Sequence, residues 1–428
     1  MGFTKDLWTR PDPTGAKDKN GKPVRLRNDR WGKGKRWLAC WIDPDGSERS
    51  QAFRTRVEAD QHWKAMETDI RRGDYHDPNA GKVLFDDIGK RWIGSRVVDP
   101  STRLRYETVY RLHVEPYFGR RQVRTIKPSE IQAWLGQLSE RFEPSTPIAA
   151  FLVLQGVLDL AVADGAIKKS PAKSPVVQRP KQHAREISAW SDERVRRVIE
   201  AHPDGLRCIP ELGASCGMRE GEIFGVALED FDFAEKVLRV RRQVKSLNGL
   251  FVFALPKNDR ERLVPLPDWT IASVQRHIQT YPPRACTLPW EKPDGPLRTH
   301  RILFRWPLDG GHVNSRTYAE QVWKPALVVA EVISPPTRTP RPEKPGLDGK
   351  RRTRLRYATT RREGTHQLRH YYASITLAGG VSIKELAEYL GHSDPAFTLR
   401  RYAHMLPSSH ERARSVINEH FGFRPEQD

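Results

Sequence analysis

Apolar and polar residues alternate along residues 36–43, a pattern typical of a strand with one buried face. Pro44-Asp45-Gly46 then favours a turn, and residues 51–54 resume the alternation. Apolar residues next recur at helical spacing until Gly73. The pattern therefore predicts a small α+β domain over residues 36–80, with one sheet packed on one helix.

The middle of the chain is dominated by helical periodicity. Residues 101–114, 129–138 and 148–163 each carry apolar side chains on one face of a helix. They predict an all-α domain over residues 83–168. The stretch that follows, residues 169–185, is rich in Lys and Pro and favours an interdomain linker.

The remaining residues, 186–428, combine both periodicities. Three strand-like runs predict a three-stranded sheet: 236–244, 250–255 and 262–267. Three helices are predicted nearer the C-terminus: 364–378, 382–390 and 395–405. This third domain is therefore expected to be mixed α+β and mainly helical, and the chain as a whole to be multidomain.

Charge indicates the kind of partner. The sequence has 73 Lys and Arg against 53 Asp and Glu, a formal charge of +20, which attracts a polyanion such as nucleic acid. The first 36 residues hold 11 Lys and Arg against 4 Asp, and with their Gly and Pro they predict a flexible basic arm over residues 1–35. Residues 335–362 hold 10 Lys and Arg against 2 acidic residues and predict a poorly ordered insertion that adds phosphate contacts.

Other classes of protein fit the sequence less well. No apolar run is seen to approach membrane-spanning length, and the first ten residues lack the apolar core of a secretory signal, so no membrane partner is expected. The four cysteines lie far apart and form no C-x-x-C pair, which favours reduced thiols over a disulfide framework or a zinc site. We therefore expect a soluble cytoplasmic protein.

A short C-terminal segment gathers side chains suited to chemistry at a phosphodiester. It contains His366-Gln367-Leu368-Arg369, then Leu390-Gly391-His392, and then Tyr402. An arginine binds phosphate oxygens through a planar fork, and histidines donate hydrogen bonds or carry protons. A tyrosine hydroxyl can attack phosphorus and form a covalent intermediate.

The spacing of these motifs resembles the signature of the tyrosine recombinases, the integrase family. In that family H-x-x-R precedes L-G-H, and a tyrosine follows ten residues later, as Tyr402 follows His392. The small sheet and helix of residues 36–80 resemble the family's arm-type DNA-binding domain. The helical residues 83–168 resemble its core-binding domain, and residues 186–428 its catalytic domain.

Two upstream motifs fit the same family. Residues 216–222 (Cys-Gly-Met-Arg-Glu-Gly-Glu) resemble the family's first arginine box, which would present Arg219 with Glu222 holding it in place. Residues 256–266 resemble the strand-turn-strand element that carries the family's catalytic lysine, here Lys257.

The resemblance implies how these residues divide the chemistry. Tyr402 would attack phosphorus, forming a 3′-phosphotyrosyl bond and freeing a 5′-hydroxyl. Arg219 and Arg369 would stabilise the charge that develops on the phosphate oxygens. Lys257 would act as the general acid that protonates the leaving 5′-oxygen.

Two histidines would assist them. His366 would help proton transfer from Tyr402 and contact the phosphate, and His392 would donate to a non-bridging oxygen. The resemblance implies no cofactor, metal or nucleotide, because arginines stabilise the charge and the covalent bond conserves the energy. The predicted catalytic set is thus Arg219, Lys257, His366, Arg369, His392 and Tyr402, with Glu222 in support.

Each of these residues has an ordinary structural explanation when it is taken alone. Lys257 would be surface charge in a turn, His392 a cation favoured at a helix end, and Tyr402 packing on an amphipathic helix. Tyr371 and Tyr372, beside the arginine, are rival hydroxyls. What favours an active site is that the expected residue types occur together, in the expected order.

The leading prediction is a site-specific recombinase that integrates, and in reverse excises, the DNA of a temperate phage or an integrative element. Its implied partners are double-stranded DNA at core and arm attachment sites, a homotetramer on that DNA, a DNA-bending host factor and an excision factor. A resolvase of chromosome or plasmid dimers, a type IB topoisomerase and a non-catalytic DNA-binding regulator are the alternatives. The resolvase usually lacks an arm domain, and the regulator has no need of the catalytic set.

Overall fold

The structure is a computed structural model of the chain. It describes residues 2–73, 75, 80–181, 188–340, 353–402, 414 and 417–421. The chain divides into two compact units, Met1–His183 and Ala184–Asp428. Both are mainly helical with small sheets, as the sequence predicts.

The N-terminal part of the first unit is a sheet covered by one helix. Its elements are β1 (Phe3–Asp6), β2 (Thr9–Pro11), β3 (Arg25–Arg27), β4 (Trp37–Ile42), β5 (Glu48–Phe53) and α1 (Arg56–Arg72). The antiparallel sheet has the order β1-β4-β5, and β2 pairs with β3 as a separate ribbon. Thr55 and Glu58 form a capping box that starts α1, and Gly73 ends it with φ +75°.

The prediction of a flexible arm over residues 1–35 is wrong. Strand β1 pairs with β4 from Phe3, opposite Cys40, to Asp6, opposite Trp37. Asp6 is buried and accepts hydrogen bonds from Arg36. The prediction rested on the high content of basic residues. Composition does not show that the edge strand β4 supplies backbone partners for β1, or that Arg36 pairs with the buried Asp6 carboxylate.

The rest of the first unit is the predicted helical bundle. Its helices are α2 (Phe85–Ser95), α3 (Pro100–Val109), α4 (Glu115–Phe118), α5 (Pro128–Arg141) and α6 (Ser145–Ala163). A π-helical turn, Tyr110–Val114, joins α3 to α4. The core is built around α6, whose Leu154, Val157 and Leu158 are fully buried.

Helix α6 is long and apolar enough to cross a membrane by length and composition, so the prediction that no apolar run approaches that length is wrong. Eight of its residues are buried in the bundle, among them Phe151 and Leu154. A helix at the centre of a bundle contacts other helices on several sides and is therefore apolar on those sides. The position of α6 in the core explains its high apolar content.

The predicted linker also differs. Ala172 and Val177 are buried in the core of the helical bundle, so this part of residues 169–185 belongs to the domain. The Lys- and Pro-rich composition concealed two apolar anchors. Residues 182–185 of the predicted linker lie outside the described residues.

The second unit carries the remaining elements. They are α7 (Asp192–Glu200), α8 (Asp204–Cys216), α9 (Glu220–Phe224), β6 (Phe231–Asp232), β7 (Val237–Val240), β8 (Gln243–Leu247), β9 (Leu250–Ala254), β10 (Arg262–Pro265), α10 (Asp268–Thr280), β11 (Arg284–Pro289), β12 (Leu297–Ile302), α11 (Ser315–Tyr318), α12 (Lys324–Val329), β13 (Thr337–Pro340), β14 (Thr353–Arg356), α13 (His366–Ala378), α14 (Ile383–Leu390) and α15 (Pro395–Tyr402). One apolar core joins α8, α10, α12 and the sheet. A smaller cluster, with Tyr372, Leu386 and Tyr402, joins α13, α14 and α15.

The second unit contains a three-stranded sheet, but β6 takes the place of the run predicted over 250–255. Its order is β10-β7-β6, while β8 and β9 form a separate hairpin. The run predicted over 236–244 breaks between β7 and β8 because Arg242 turns inward. Its guanidinium forms a buried ion pair with Asp230, at 2.6 Å, and periodicity cannot show such a pair.

The basic insertion over residues 335–362 is not entirely irregular. Strands β13 and β14 pair as an antiparallel hairpin, with Thr337 opposite Arg356 and Pro340 opposite Thr353. Arg338, Arg354 and Arg356 are exposed on it. Residues 341–352 lie outside the described residues, and so do most of those after Tyr402.

Candidate active site

The first arginine box lies where α8 ends and α9 begins. Gly217 ends α8 in the left-handed region, with φ +59°. The Tyr372 ring occupies the space that a Cβ atom would need at this position. Two residues later Arg219 is the N-cap of α9. Its backbone N–H donates to Oε2 of Glu222, at 2.8 Å, and its Nη1 donates to Oε1, at 2.9 Å. Glu222 therefore fixes both the backbone and the guanidinium of Arg219.

Glu222 is itself held from the other side. It has no exposed surface, and Arg262 of β10 donates to both of its carboxylate oxygens, at 2.9 and 2.7 Å. Burial by itself would raise the pKa of Glu222, but Arg262, Arg219 and Arg369 lower it to about 2. The carboxylate is thus an ionised anchor for the guanidinium groups around it.

Arg369 joins three segments of the second unit. It is 1% exposed and donates from Nη1 to the Gly217 carbonyl, at 2.6 Å, and from Nη2 to the Leu390 carbonyl. Its Nη2 also lies 3.3 Å from Nε2 of His392. Burial and the neighbouring Arg219 lower the pKa of Arg369 to about 9, a value at which it remains charged at neutral pH.

His392 is presented by the turn that ends α14. Gly391 is the left-handed C-cap, with φ +62°. Burial and the nearby Arg369 lower the pKa of His392 to about 3, so the ring is neutral. Because a guanidinium only donates, Nε2 is the acceptor from Arg369, and the proton lies on Nδ1, which donates to the Thr398 hydroxyl at 2.7 Å.

Tyr402 ends α15 with its hydroxyl inside the protein. The residue is 2% exposed, and its hydroxyl shares a hydrogen bond of 2.8 Å with Nδ1 of His370. Burial raises the pKa of Tyr402, although Arg369, Arg401 and Arg219 act in the opposite direction. The hydroxyl is therefore in the electrostatic neighbourhood of both predicted catalytic arginines.

His366 begins α13, one turn before His370. The two rings lie edge to face, with their centroids 4.8 Å apart. The ring of His366 reaches the surface, but its partly desolvated setting and the cations Arg369 and Arg219 lower its pKa to about 4. Its predicted help in proton transfer from Tyr402 stays a prediction, since the described hydrogen bond of that hydroxyl goes to His370.

Lys257 is exposed in the turn Lys257–Asp259 between β9 and β10. Asn258 and Asp259 are both left-handed there, with φ 69° and 53°. The next residue, Arg260, donates to the His392 carbonyl at 3.5 Å, which links this turn to the end of α14. The structure thus brings six of the seven predicted residues into one cluster and holds the seventh, Lys257, on an adjoining turn.

The rival tyrosines have other surroundings. The Tyr372 ring packs under Gly217 and is 5% exposed. The Tyr371 hydroxyl interacts with Asp192, and burial together with that carboxylate raises the pKa of Tyr371 to about 12.

Sequence reasoning missed two residues of the cluster, Arg262 and His370. A signal existed for each. Arg262 and the apolar Val264 are two positions apart in the strand-like run 262–267, so they lie on the same face, which the apolar Val264 indicates is the inward one. His370 is four residues after His366, so both lie on one helix face.

Two family models match the chain. Residues 85–139 match the model described as "Phage integrase, N-terminal SAM-like domain", and residues 349–408 match "Phage integrase family". These matches, with the relatives and solved structures below, support a tyrosine recombinase, or phage integrase. The likeness to this family supports activity as a site-specific recombinase.

Particular relatives extend the likeness along the chain. A "Tyrosine recombinase XerC-like" protein of Caldanaerobacter subterraneus subsp. tengcongensis is 25% identical over 385 residues, which are 86% of this chain and 90% of the relative. A "Putative prophage phiRv2 integrase" of Mycobacterium tuberculosis is 23% identical over 254 residues, 58% of this chain and 67% of the relative.

Solved structures share the fold. The Tn1549 transposon integrase in complex with transposon right end DNA matches with a TM-score of 0.59 and 17% identity, over 79% of this chain and 99% of that one. A lambda integrase dimer bound to a COC′ core site matches with a TM-score of 0.50 and 14% identity, over 92% and 94% of the two chains.

Proposed function

We propose that this protein is a site-specific DNA recombinase that cleaves and rejoins strands through a 3′-phosphotyrosyl intermediate. The observation that carries the proposal is the set of contacts around α13: the Tyr402 hydroxyl is hydrogen-bonded to His370, which follows Arg369 in the chain, and Arg369 and Arg219 are fixed by the Gly217 carbonyl and by Glu222. A nucleophile beside two immobilised guanidinium groups is what attack on a phosphodiester requires.

The first step is the attack of Tyr402 on phosphorus. A bond forms between its oxygen and phosphorus, while the bond from phosphorus to the 5′-oxygen breaks. Arg219 and Arg369 bind the non-bridging oxygens, whose negative charge grows in the transition state. Glu222 and the Gly217 carbonyl hold the two guanidinium groups in place before DNA binds. Arg369 and Tyr402 are 1% and 2% exposed, so DNA binding must open this cluster to the phosphodiester.

The leaving 5′-oxygen needs a proton. Lys257, on an exposed turn, is our general acid for this step. Rejoining reverses the order: a 5′-hydroxyl attacks the phosphotyrosine, Lys257 takes its proton, and Tyr402 is released. Since the covalent bond conserves the phosphodiester's energy, the cycle needs neither ATP nor a metal ion.

The substrate we propose is double-stranded DNA, at the attachment sites of a phage or another mobile element. Relatives named as integrases and solved integrases bound to DNA support this assignment. A lambda integrase tetramer bound to a Holliday junction, with a TM-score of 0.50, supports action as a tetramer on DNA. The N-terminal sheet and α1 would bind arm sites, the helical bundle the core site, and the second unit would carry out the chemistry.

A covalent-trapping experiment tests the proposal. The protein is incubated with a nicked suicide duplex from its attachment site, and adducts are resolved on a denaturing gel. Wild type should form a 3′-linked adduct in the presence of EDTA, and Tyr402→Phe should form none while it still binds DNA. Tight binding without any adduct would favour the non-catalytic regulator instead, and an adduct in Tyr402→Phe would point to Tyr371 or Tyr372.

The dimer resolvase is separated by its substrate. Recombination between two different attachment sites, dependent on residues 2–75, is expected of an integrase. Efficient recombination only between two identical sites would favour a resolvase.

A further inference from the structure

We propose that His370 is a further catalytic residue, the group that takes the proton of the Tyr402 hydroxyl as it attacks phosphorus and returns it on rejoining. The inference rests on the proposed function, because it concerns the same nucleophile. It replaces His366 in that step and leaves His366 to contact the phosphate.

The geometry of the pair carries the inference. Nδ1 of His370 lies 2.8 Å from the Tyr402 oxygen, within the range of a strong O–H···N hydrogen bond. The rings meet edge to face at 5.7 Å, and both residues are buried, His370 to 6% exposure and Tyr402 to 2%. Helices α13 and α15 fix the two side chains before substrate arrives.

The competing histidine is less well placed. The described ring contact of His366 is with His370, edge to face, with the centroids 4.8 Å apart. It is also the more exposed of the two. Exposure suits contact with a phosphate that arrives from solvent, whereas a group that removes the nucleophile's proton must come within hydrogen-bond reach of the hydroxyl, as His370 is here.

The charges around His370 make its basicity depend on substrate. Burial lowers the pKa of His370 to about 3, and the nearby His366, Arg401, Arg369 and His392 act in the same direction. A phosphodiester bound to the arginines brings a negative charge into this cluster and offsets their effect. His370 is therefore a poor base in the free protein and a better one when a strand is bound, which protects Tyr402 from ionising without DNA.

The proton balance is complete with groups already named. The Tyr402 O–H bond breaks and its proton passes to Nδ1 of His370, which becomes a cation. The tyrosine oxygen bonds to phosphorus, and the 5′-oxygen leaves with a proton from Lys257. In the reverse reaction the phosphotyrosine bond breaks and His370 gives its proton back to Tyr402.

The test compares two substitutions that keep a hydrogen-bond acceptor and remove the base. In His370→Asn, the amide oxygen occupies nearly the position of Nδ1 but cannot take a proton. His366→Asn is the same change on the competing residue. Single-turnover adduct formation on the suicide duplex is measured from pH 6 to 9, with tyrosine or with a fluorinated tyrosine of lower phenol pKa at position 402.

We expect His370→Asn to slow adduct formation by about 100-fold at neutral pH. Its rate should then rise roughly tenfold per pH unit, because the hydroxyl must ionise without help. In His370→Asn, the fluorinated tyrosine should restore most of the lost rate of adduct formation. In His366→Asn, it should change that rate by no more than it does in wild type.

Several results would overturn the inference. A rate within threefold of wild type in His370→Asn, or recovery by the fluorinated tyrosine in His366→Asn alone, assigns the proton elsewhere. If His370→Asn does not bind DNA, the fluorinated tyrosine in the otherwise unchanged protein decides. If the fluorinated tyrosine changes the rate of adduct formation in this protein by less than fivefold, the result agrees with proton transfer to His370. A large increase in that rate at low pH contradicts it. Failure of wild type to form any adduct would count against the proposed function instead.

Discussion

At the scale of single residues, the site depends on a buried carboxylate between guanidinium groups. Glu222 has no exposed surface and bonds to Arg219 and Arg262 at the same time. The three guanidinium groups of Arg219, Arg262 and Arg369 would repel one another without the carboxylate. The stability and the geometry of the site therefore rest on the same interactions.

Removing Arg262 should destabilise the protein and misplace Arg219. Arg262→Met leaves Glu222 buried with one partner fewer, and breaking a buried ion pair costs about 3–5 kcal/mol. We expect that loss in the free energy of unfolding of the second unit, measured with urea, together with slower adduct formation. Arg239→Met on the adjacent strand β7 is the control, because its pair with Asp232 is largely exposed and should change stability by less than about 0.5 kcal/mol. Equal effects of the two substitutions would refute this account.

Lys257 can be tested through the leaving group. Lys257→Met should abolish adduct formation on an ordinary duplex, since the 5′-oxygen then leaves without a proton. A duplex with sulfur at the 5′-bridging position needs no such proton, so the variant should cleave it at nearly the wild-type rate. Failure of the sulfur to restore cleavage would remove Lys257 from the role of general acid.

At the scale of elements, two helix ends position the catalytic arginine. Gly217 ends α8 and Gly391 ends α14, both in the left-handed region. Arg369 donates to the Gly217 carbonyl and to that of Leu390, just before Gly391. The helix C-termini thus supply the carbonyl groups that bind the guanidinium.

A glycine comparison separates backbone strain from packing. In Gly217→Ala a Cβ would lie 2.5 Å from the Tyr372 ring, in addition to the cost of φ +59°. Gly249→Ala has φ +83° and open space around it, so it should lose only about 1–2 kcal/mol of stability. We expect Gly217→Ala to lose more than the control and to slow adduct formation, as measured by thermal unfolding and the suicide duplex. Equal losses would mean that the ring can move aside at no cost.

The hairpin of β13 and β14 should contribute to DNA affinity through charge. Arg354 and Arg356 are two residues apart on one strand, so they lie on the same face, and both are exposed. Replacing both with Gln should reduce the slope of log affinity against log salt by about 2, because each phosphate contact contributes about 0.9. The slope is measured by fluorescence anisotropy with duplex DNA, and an unchanged slope would exclude phosphate contacts by these residues.

At the scale of the whole molecule, burial of neutral histidines ties stability to pH. His202 is 2% exposed, with ring nitrogens at 2.6 Å from the Val198 carbonyl and 3.0 Å from the Tyr318 hydroxyl. Burial lowers its pKa to about 4. His202 has a pKa of about 4 in the folded protein and about 6.5 in the unfolded chain, so the unfolded chain binds a proton at a higher pH. The contribution of neutral His202 to the free energy of unfolding is therefore complete above pH 6.5 and is lost as pH falls toward 4.

The size of that effect can be measured. At pH 5 His202 should reduce the free energy of unfolding by about 2 kcal/mol relative to pH 7. Unfolding of His202→Phe should therefore depend less steeply on pH between 6.5 and 4, whatever its absolute stability. A slope equal to that of wild type would show that His202 is not a source of the pH dependence.

Local pattern determined much of this protein. Helical spacing gave α13, α14 and α15 to within a few residues, and the interval from His392 to Tyr402 gave the family resemblance. These features were accessible because periodicity, caps and turns depend on neighbours within a few positions along the chain. Composition likewise indicated a polyanionic partner, since charge is a sum over residues and needs no structure.

Only the tertiary structure decided which distant side chains meet. Arg262 reaches Glu222 across 40 positions, His370 reaches Tyr402 across 32, and Arg369 reaches the Gly217 carbonyl across 152. It also decided that β1 belongs to the N-terminal sheet and that Arg242 divides β7 from β8. The physical reason is common to all of them: a buried charge or hydroxyl takes the partner that packing brings within about 3 Å, and separation along the chain does not encode that distance.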